Sequence, residues 1–286
     1  MNGIDLKKVM EQLRLLRPKQ WVKNLLVFLG VLSSSNISLF STALIVFITF
    51  CFASSTSYVY NDIRDVASDR QHYRKKHRPI ASGKVSITQA WMILSALLAI
   101  VVSSYFVLPL YAYLCILVYL LGNVLYSSYL KRVPIVDIYG IAFFFFLRVM
   151  AGTMGINIEP SVWLIITVIA VSVFLAVAKR YGELRDGSTR DVLKYYTVDL
   201  CRGTLFGMST LATAFYGMYI IFVSPTLLRL TTIPLVMFGF SYYFMLVEQE
   251  TTDADPTVLL YKSKILQCTA CIILILFYFG SLNMFP

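Results

Sequence analysis

Apolar residues in this chain gather into blocks of roughly twenty, parted by short polar stretches. An α-helix needs about 20 mainly apolar residues to cross a bilayer. The blocks fall at 21–39, 42–60, 87–107, 109–126, 135–151, 161–178, 205–223, 232–247 and 265–282. They predict an all-α polytopic membrane protein: a bundle of nine transmembrane helices forming one domain over 1–286. The first block is the least regular. Ser33-Ser34-Ser35-Asn36 interrupts it and points to a short or tilted helix. No large soluble domain fits between the blocks, and no internal repeat stands out.

Composition agrees with the pattern. The 286 residues are 58% hydrophobic, 15% aromatic and 14% charged, where soluble domains carry ~25% charged residues. The net charge of +10 gains meaning only from its placement. With the N-terminus inside the cell, the segments 1–24, 61–86, 127–134, 179–204 and 248–264 hold 23 of the 25 Lys and Arg. That asymmetry predicts an N-in, C-out topology in the cell membrane. It places every long polar loop, and so the chemistry, on the cytoplasmic side. The polar, basic opening of about twenty residues lacks a cleavable signal's small-residue site. Cys268 and Cys271 form the one close cysteine pair; with no His or further Cys nearby they read as small apolar packers.

The stretch richest in chemistry runs Tyr58-Val59-Tyr60-Asn61-Asp62-Ile63-Arg64-Asp65-Val66-Ala67-Ser68-Asp69-Arg70. Asn61, Asp65 and Asp69 stand at i, i+4 and i+8, a spacing that stacks them on one face of a continuing helix. Such oxygen ligands suit Mg²⁺, which keeps several waters and is often completed by substrate phosphates. Asp62, one residue round, would support these ligands or hold a second ion. Behind them comes a basic loop ending in Arg78-Pro79-Ile80-Ala81-Ser82-Gly83. Acidic ligands beside cations are the arrangement expected for a Mg²⁺–diphosphate substrate. The plainer readings are a solvated helix end and an anchor for anionic lipid.

Together, Asn61-Asp62-x-x-Asp65-x-x-x-Asp69 and the Arg78–Gly83 turn, in a nine-helix membrane chain, resemble the UbiA superfamily of intramembrane transferases. The resemblance runs over essentially the whole length. It implies binding of a diphosphate through Mg²⁺ at the cytoplasmic end of a helical bundle. Leu16-Arg17-Pro18-Lys19-Gln20-Trp21-Val22-Lys23-Asn24 is similar to the opening signature of decaprenyl-phosphate phosphoribosyltransferases. Aromatic prenyltransferases of the family usually carry a second Asp-x-x-x-Asp after the sixth span. Here Lys179-Arg180-Tyr181-Gly182-Glu183-Leu184 stands instead, and Asp186 and Asp191 are five apart. The resemblance therefore implies phosphoribosyl pyrophosphate as donor and a polyprenyl phosphate as acceptor. An ordinary prenyltransferase of the same family is the alternative, and a transporter is a distant third. No nucleic-acid partner is expected, membrane lipids surround the chain, and a homo-oligomer is left open.

Candidate residues for gripping two polyanions follow from location. Lys23 enters the first span, where a snorkelling anchor competes with a binding role. Tyr58, three residues before Asn61, shares the metal face unless it only packs. Lys75 and Arg78 lie past the metal helix, Lys131 and Arg132 form a basic pair between the fourth and fifth spans, and Lys179, Arg180 and Glu183 close the sixth. Arg148 lies deep in the fifth span, where a cation is costly unless it faces a polar cavity or a partner.

Overall fold

The computed structural model describes residues 3–34, 36–72, 75–185, 191–249 and 256–281. All regular structure among the described residues is helical: α1 (Gly3–Leu15), α2 (Leu29–Ser34), α3 (Phe40–Arg64), α4 (Val66–Gln71), α5 (Ile87–Ser103), α6 (Leu110–Ser128), α7 (Val136–Gly152), α8 (Val162–Arg185), α9 (Val198–Val223), α10 (Leu227–Leu230), α11 (Thr232–Gln249), α12 (Pro256–Lys262) and α13 (Lys264–Ser281). Seven stretches are long and apolar enough to cross a membrane: Phe40–Arg64, Ile87–Phe106, Leu110–Ser128, Val136–Ile156, Val162–Arg185, Val198–Val223 and Leu227–Gln249. A shorter apolar helix, Lys264–Gly280, follows.

Seven of the nine expected spans are thus long and apolar enough among the described residues, and the first block, expected to be short or tilted, is irregular. Block 21–39 is not one continuous α-helix: Pro18–Phe28 winds as a 3-10 helix, α2 adds six residues, and a 3-10 turn at Ile37–Leu39 leads into α3. The reason lies in what the segment touches. A Cβ on Gly30 would fall 1.9 Å from the Gly152 carbonyl oxygen, and one on Gly152 would fall 1.9 Å from that of Val27. The segment is therefore laid backbone against backbone on α7, a closeness only glycine permits. Asn24 donates to Cys51 Sγ and Ser54 Oγ of α3, both at 3.3 Å. Tertiary contacts, rather than an i→i−4 ladder, fix its course.

Helices α3, α7 and α8 are the most enclosed, whereas α5, α9 and α11 turn apolar side chains such as Trp91, Phe206 and Phe238 outward. One core joins Val27, Phe50, Ile116, Tyr119 and Phe144 from the first segment, α3, α6 and α7. Another joins Phe174, Tyr181, Leu205 and Tyr243 from α8, α9 and α11. Within α3 the small polar residues Thr49, Thr56 and Ser57 return their hydroxyls to carbonyls four residues back. These bonds let a polar helix cross the bundle with its side chains satisfied. That helix delivers Asn61 and Asp62 to one end.

Candidate functional site

At Asp65 the helix bends (φ −92°, ψ 9°), and α3 gives way to α4. Two backbone bonds, Asp65 N–H to Asn61 O and Asp69 N–H to Asp65 O, both at 2.9 Å, carry the helical spacing across the bend. The i, i+4, i+8 reading of Asn61, Asp65 and Asp69 holds in register, though not on one straight helix.

The following turn is built to present Arg78. Ile80 and Val85 are buried in a small core with Leu15, Val59 and Leu94. Gly83 takes φ +78°, and its N–H reaches Ile80 O at 3.1 Å. A capping box between Ser86 and Gln89 then starts α5. So anchored, Arg78 Nη1 donates to Asp69 Oδ2 at 2.6 Å and to Asp62 Oδ1 at 3.1 Å. Arg17 Nη2 donates to the same Asp62 oxygen at 2.5 Å, its guanidinium 5.0 Å from the Tyr58 ring centre. Lys131 Nζ lies 3.3 Å from Asp65 Oδ2. Each carboxylate thus meets a cation, and charge-assisted bonds of this kind are the stronger ones.

Arg17 itself has φ +52°, uncommon for a residue with a Cβ, and Pro18 follows it. Backbone strain of this sort marks positions the surrounding structure enforces. Beside Asp62 opens a cavity of about 300 Å³ lined by Arg14, Arg17, Asp62, His77, Arg78 and Pro79. Lys75, at the edge of the same loop, has its ammonium pKa pushed down by burial, then by repulsion from Arg78 and Lys179, against the pull of Asp69 and Glu183. Those influences locate the end of α8 next to the loop.

The structure brings Tyr58, Asn61, Asp62, Asp65, Asp69, Arg78 and Lys131 together at one end, along with residues the sequence pattern does not single out. Arg14, Arg17 and His77 were not among the candidates. Arg17 sat inside the opening signature, where its place directly before Pro18 was the available signal. Lys23 is half-buried in the 3-10 segment, Lys179 is half-buried on α8, and Arg132 is exposed beside Lys131. Asp191 opens a short 3-10 turn, while Asp186 falls outside the described residues.

Two arginines sit differently from expectation. Arg148 is 4% exposed and turns inward: Nε donates to Asn24 Oδ1 at 2.7 Å, Nη1 to Phe144 O at 2.7 Å, and Nη2 to Tyr119 Oη at 3.2 Å. Among the described residues no carboxylate answers it; the Tyr119 ring, 4.7 Å away, supplies a cation–π contact. Its three bonds knit the first segment to α6 and α7. Arg180 is likewise enclosed, with Nε 2.6 Å from Asp137 Oδ2 and Nη1 2.5 Å from Glu183 Oε2. Asp137 Oδ1 accepts from the Tyr196 hydroxyl at 2.6 Å, whose pKa burial and this bond push up. Asp137 and Tyr196 went unremarked in the sequence.

Whether a divalent ion suits the acidic run can be judged from Asn61. Its Oδ1 is buried and, among the described residues, has no hydrogen-bond partner, an uncompensated acceptor beside the carboxylates. Among the described residues no three His, Cys, Asp or Glu side chains gather closely enough to hold an ion by themselves. An amide oxygen and two carboxylates, completed by substrate oxygens, form the hard-oxygen set that Mg²⁺ prefers. The donors fit.

These observations describe a helical-bundle membrane protein with paired carboxylates and cations gathered at one end. The chain belongs to the UbiA prenyltransferase family, whose model matches residues 25–266. It is 35% identical over 256 residues to a decaprenyl-phosphate phosphoribosyltransferase of Corynebacterium glutamicum, covering 85% of this chain and 70% of that one. The protein of the same name from Mycolicibacterium smegmatis is 31% identical over 221 residues, covering 72% of this chain and 69% of its own. In three dimensions the chain resembles a UbiA homolog from Archaeoglobus fulgidus bound to GPP and Mg²⁺, with a TM-score of 0.72 and 18% identity over 95% of this chain and 98% of the other. The fold is therefore UbiA-like, and the chain is an integral membrane transferase of that family.

Proposed function

We propose that the protein transfers a 5-phosphoribosyl group from phosphoribosyl pyrophosphate to a polyprenyl phosphate, releasing pyrophosphate. The observation that carries this reading is the density of cations at the acidic run. A cavity of about 300 Å³ beside Asp62 gathers Arg14, Arg17, His77 and Arg78, of which Arg17 and Arg78 also pair with the acidic run, and Lys131 stands on its other side at Asp65. A prenyl diphosphate with an aromatic acceptor has one polyanionic group to hold; two phosphorylated substrates have three. Similarity to named phosphoribosyltransferases at 31–35% identity supports the same choice.

In that reaction the bond from ribose C1 to the diphosphate oxygen breaks, and an oxygen of the lipid phosphate bonds to C1. The lipid phosphate is already ionised at neutral pH, so no general base is required. Asn61, Asp65 and Asp69 would hold Mg²⁺, which when bound neutralises charge on the diphosphate. Arg17, paired with Asp62, and Arg78, paired with Asp62 and Asp69 through one nitrogen, keep further N–H donors to orient phosphate oxygens. Tyr58 braces Arg17, while Lys75, Lys131 and Lys179 add point charges around the mouth. Lys23 and Arg132 extend the cationic rim towards the lipid acceptor. Arg148 acts at one remove, fixing Asn24 and so the segment that bears Arg17 and Lys23. Arg180 holds Glu183 in the same indirect way. The reading includes nine crossings with the N-terminus and this site on the cytoplasmic side of the cell membrane, the first crossing being the irregular segment.

Purified protein in lipid, given labelled phosphoribosyl pyrophosphate and mixed polyprenyl phosphates, should move label into the lipid phase. A parallel reaction with a prenyl diphosphate and aromatic acceptors should stay blank. Activity confined to the second reaction overturns the proposal in favour of prenyl transfer.

A further inference from the structure

The chain carries a second lone guanidinium, far from the acidic run. Arg229 lies between α9 and α11. The 26 residues of α9 separate it from Tyr196 by about 39 Å, at roughly 1.5 Å per residue. Arg229 is 4% exposed and forms no salt bridge among the described residues. Its Nε donates to Phe277 O at 3.1 Å, and the guanidinium lies 4.4 Å from the Phe277 ring centre. Nη2 is buried and, among the described residues, has no hydrogen-bond partner. Gly280 lets α13 come this near: a Cβ there would fall 2.8 Å from Arg229 Cγ.

A second donor is orphaned beside it. Tyr219 is 3% exposed, its ring is stacked with Phe277 at 6.3 Å, and among the described residues its buried hydroxyl makes no close hydrogen bond, with the Ser33 side chain as a weak neighbour. Neighbouring polar groups are already committed. Tyr216 and Thr232 share a 2.6 Å bond, and Thr232 Oγ1 donates to Arg229 O at 2.5 Å. Two buried donors, one of them charged, thus meet on one aromatic ring; among the described residues no group close by accepts from Arg229 Nη2, and only Ser33 bears weakly on the Tyr219 hydroxyl. A buried cation without a counter-charge is costly, and unmade buried donors add to that cost.

We propose that Arg229 Nη2 and Tyr219 Oη bind an oxyanion of the phosphate class, remote from the transferase site. A phospholipid headgroup and free phosphate present the same chemistry, so the test separates them. The full chain is reconstituted in nanodiscs of phosphatidylcholine alone or with phosphatidylglycerol. In the phosphatidylcholine discs, inorganic phosphate is also titrated at constant ionic strength. Melting is followed for wild type, Arg229→Gln and Tyr219→Phe. Because both variants keep the acidic run, any response at that end is common to all three. A stabilisation that Arg229→Gln weakens at least tenfold in midpoint concentration, and Tyr219→Phe weakens less, supports the site. Seen with phosphatidylglycerol it identifies a headgroup, and with inorganic phosphate a free anion. Without ligand, Tyr219→Phe should melt close to wild type, since the hydroxyl it loses makes no close hydrogen bond among the described residues. Equal responses from wild type and both variants in both arms overturn the proposal. Should Arg229→Gln fail to fold, a wild-type response from Tyr219→Phe alone overturns it.

Discussion

Replacing Asp137 with Asn removes one charge from a sealed network. Asp137 is 0% exposed and Arg180 1%, and their contact is 2.6 Å. Removing one member of a buried pair typically costs 3–5 kcal/mol, because the other charge is left uncompensated. Here Arg180 keeps Glu183 at 2.5 Å, so the lower end applies; about 3 kcal/mol is expected. At 1.36 kcal/mol per decade, that is roughly a hundredfold in the equilibrium between closed and open forms. The loss should concentrate where the network binds: Tyr196, the 3-10 turn at Asp191–Tyr195, and the first turn of α7. Equilibrium unfolding in mixed micelles, run as a double-mutant cycle with Arg180→Gln, measures the coupling directly. The double variant should recover 1 kcal/mol or more relative to the sum of the singles. Hydrogen exchange should rise in 191–197 before it rises elsewhere. Additive singles, or an Asp137→Asn protein as stable as wild type, would refute the network as described.

Asp65→Ala and Asp69→Ala should each lower turnover ~10³-fold, on the order of 4 kcal/mol, while the purified proteins elute as wild type; chelation should silence wild type alike, and full activity in either variant removes the metal assignment. Arg148→Lys keeps the charge but cannot reach Asn24, Phe144 O and Tyr119 together; both turnover and melting temperature should fall, and a change in activity without a change in melting would contradict its bracing role. Cysteines at Lys76 and Val107 should label with an impermeant thiol reagent from opposite sides, Val107 from outside intact cells. Reversed labelling overturns the orientation.

How far the sequence reached depended on how local each signal was. The run Asn61, Asp65, Asp69 repeats at helical spacing within nine positions, so its pattern survives a bend that composition alone does not reveal. Apolar blocks announced α3, α5–α9 and α11 because length and hydropathy are properties of a single segment. The 3-10 course of Pro18–Phe28 is imposed by Gly152 and Ser54, far along the chain, and nothing in its own residues encodes that. Arg148 was flagged by its cost in an apolar run, but its partner Asn24 lies 124 positions away. Asp137 carries no signal in its own stretch of sequence; its meaning comes from Arg180, 43 positions on.

The glycine seam between the first segment and α7 has a consequence for anyone reading mutants. No side chain fits at Gly30 or Gly152, so adding even a methyl there must lift the segment from its bed. The same segment carries Asn24 into the grip of Arg148 and begins at Arg17, the partner of Asp62. A substitution near one membrane face would therefore be felt at the other, as lost turnover rather than lost expression. In a screen scored by activity alone, Gly152 would pass for a catalytic residue, though it touches nothing that reacts.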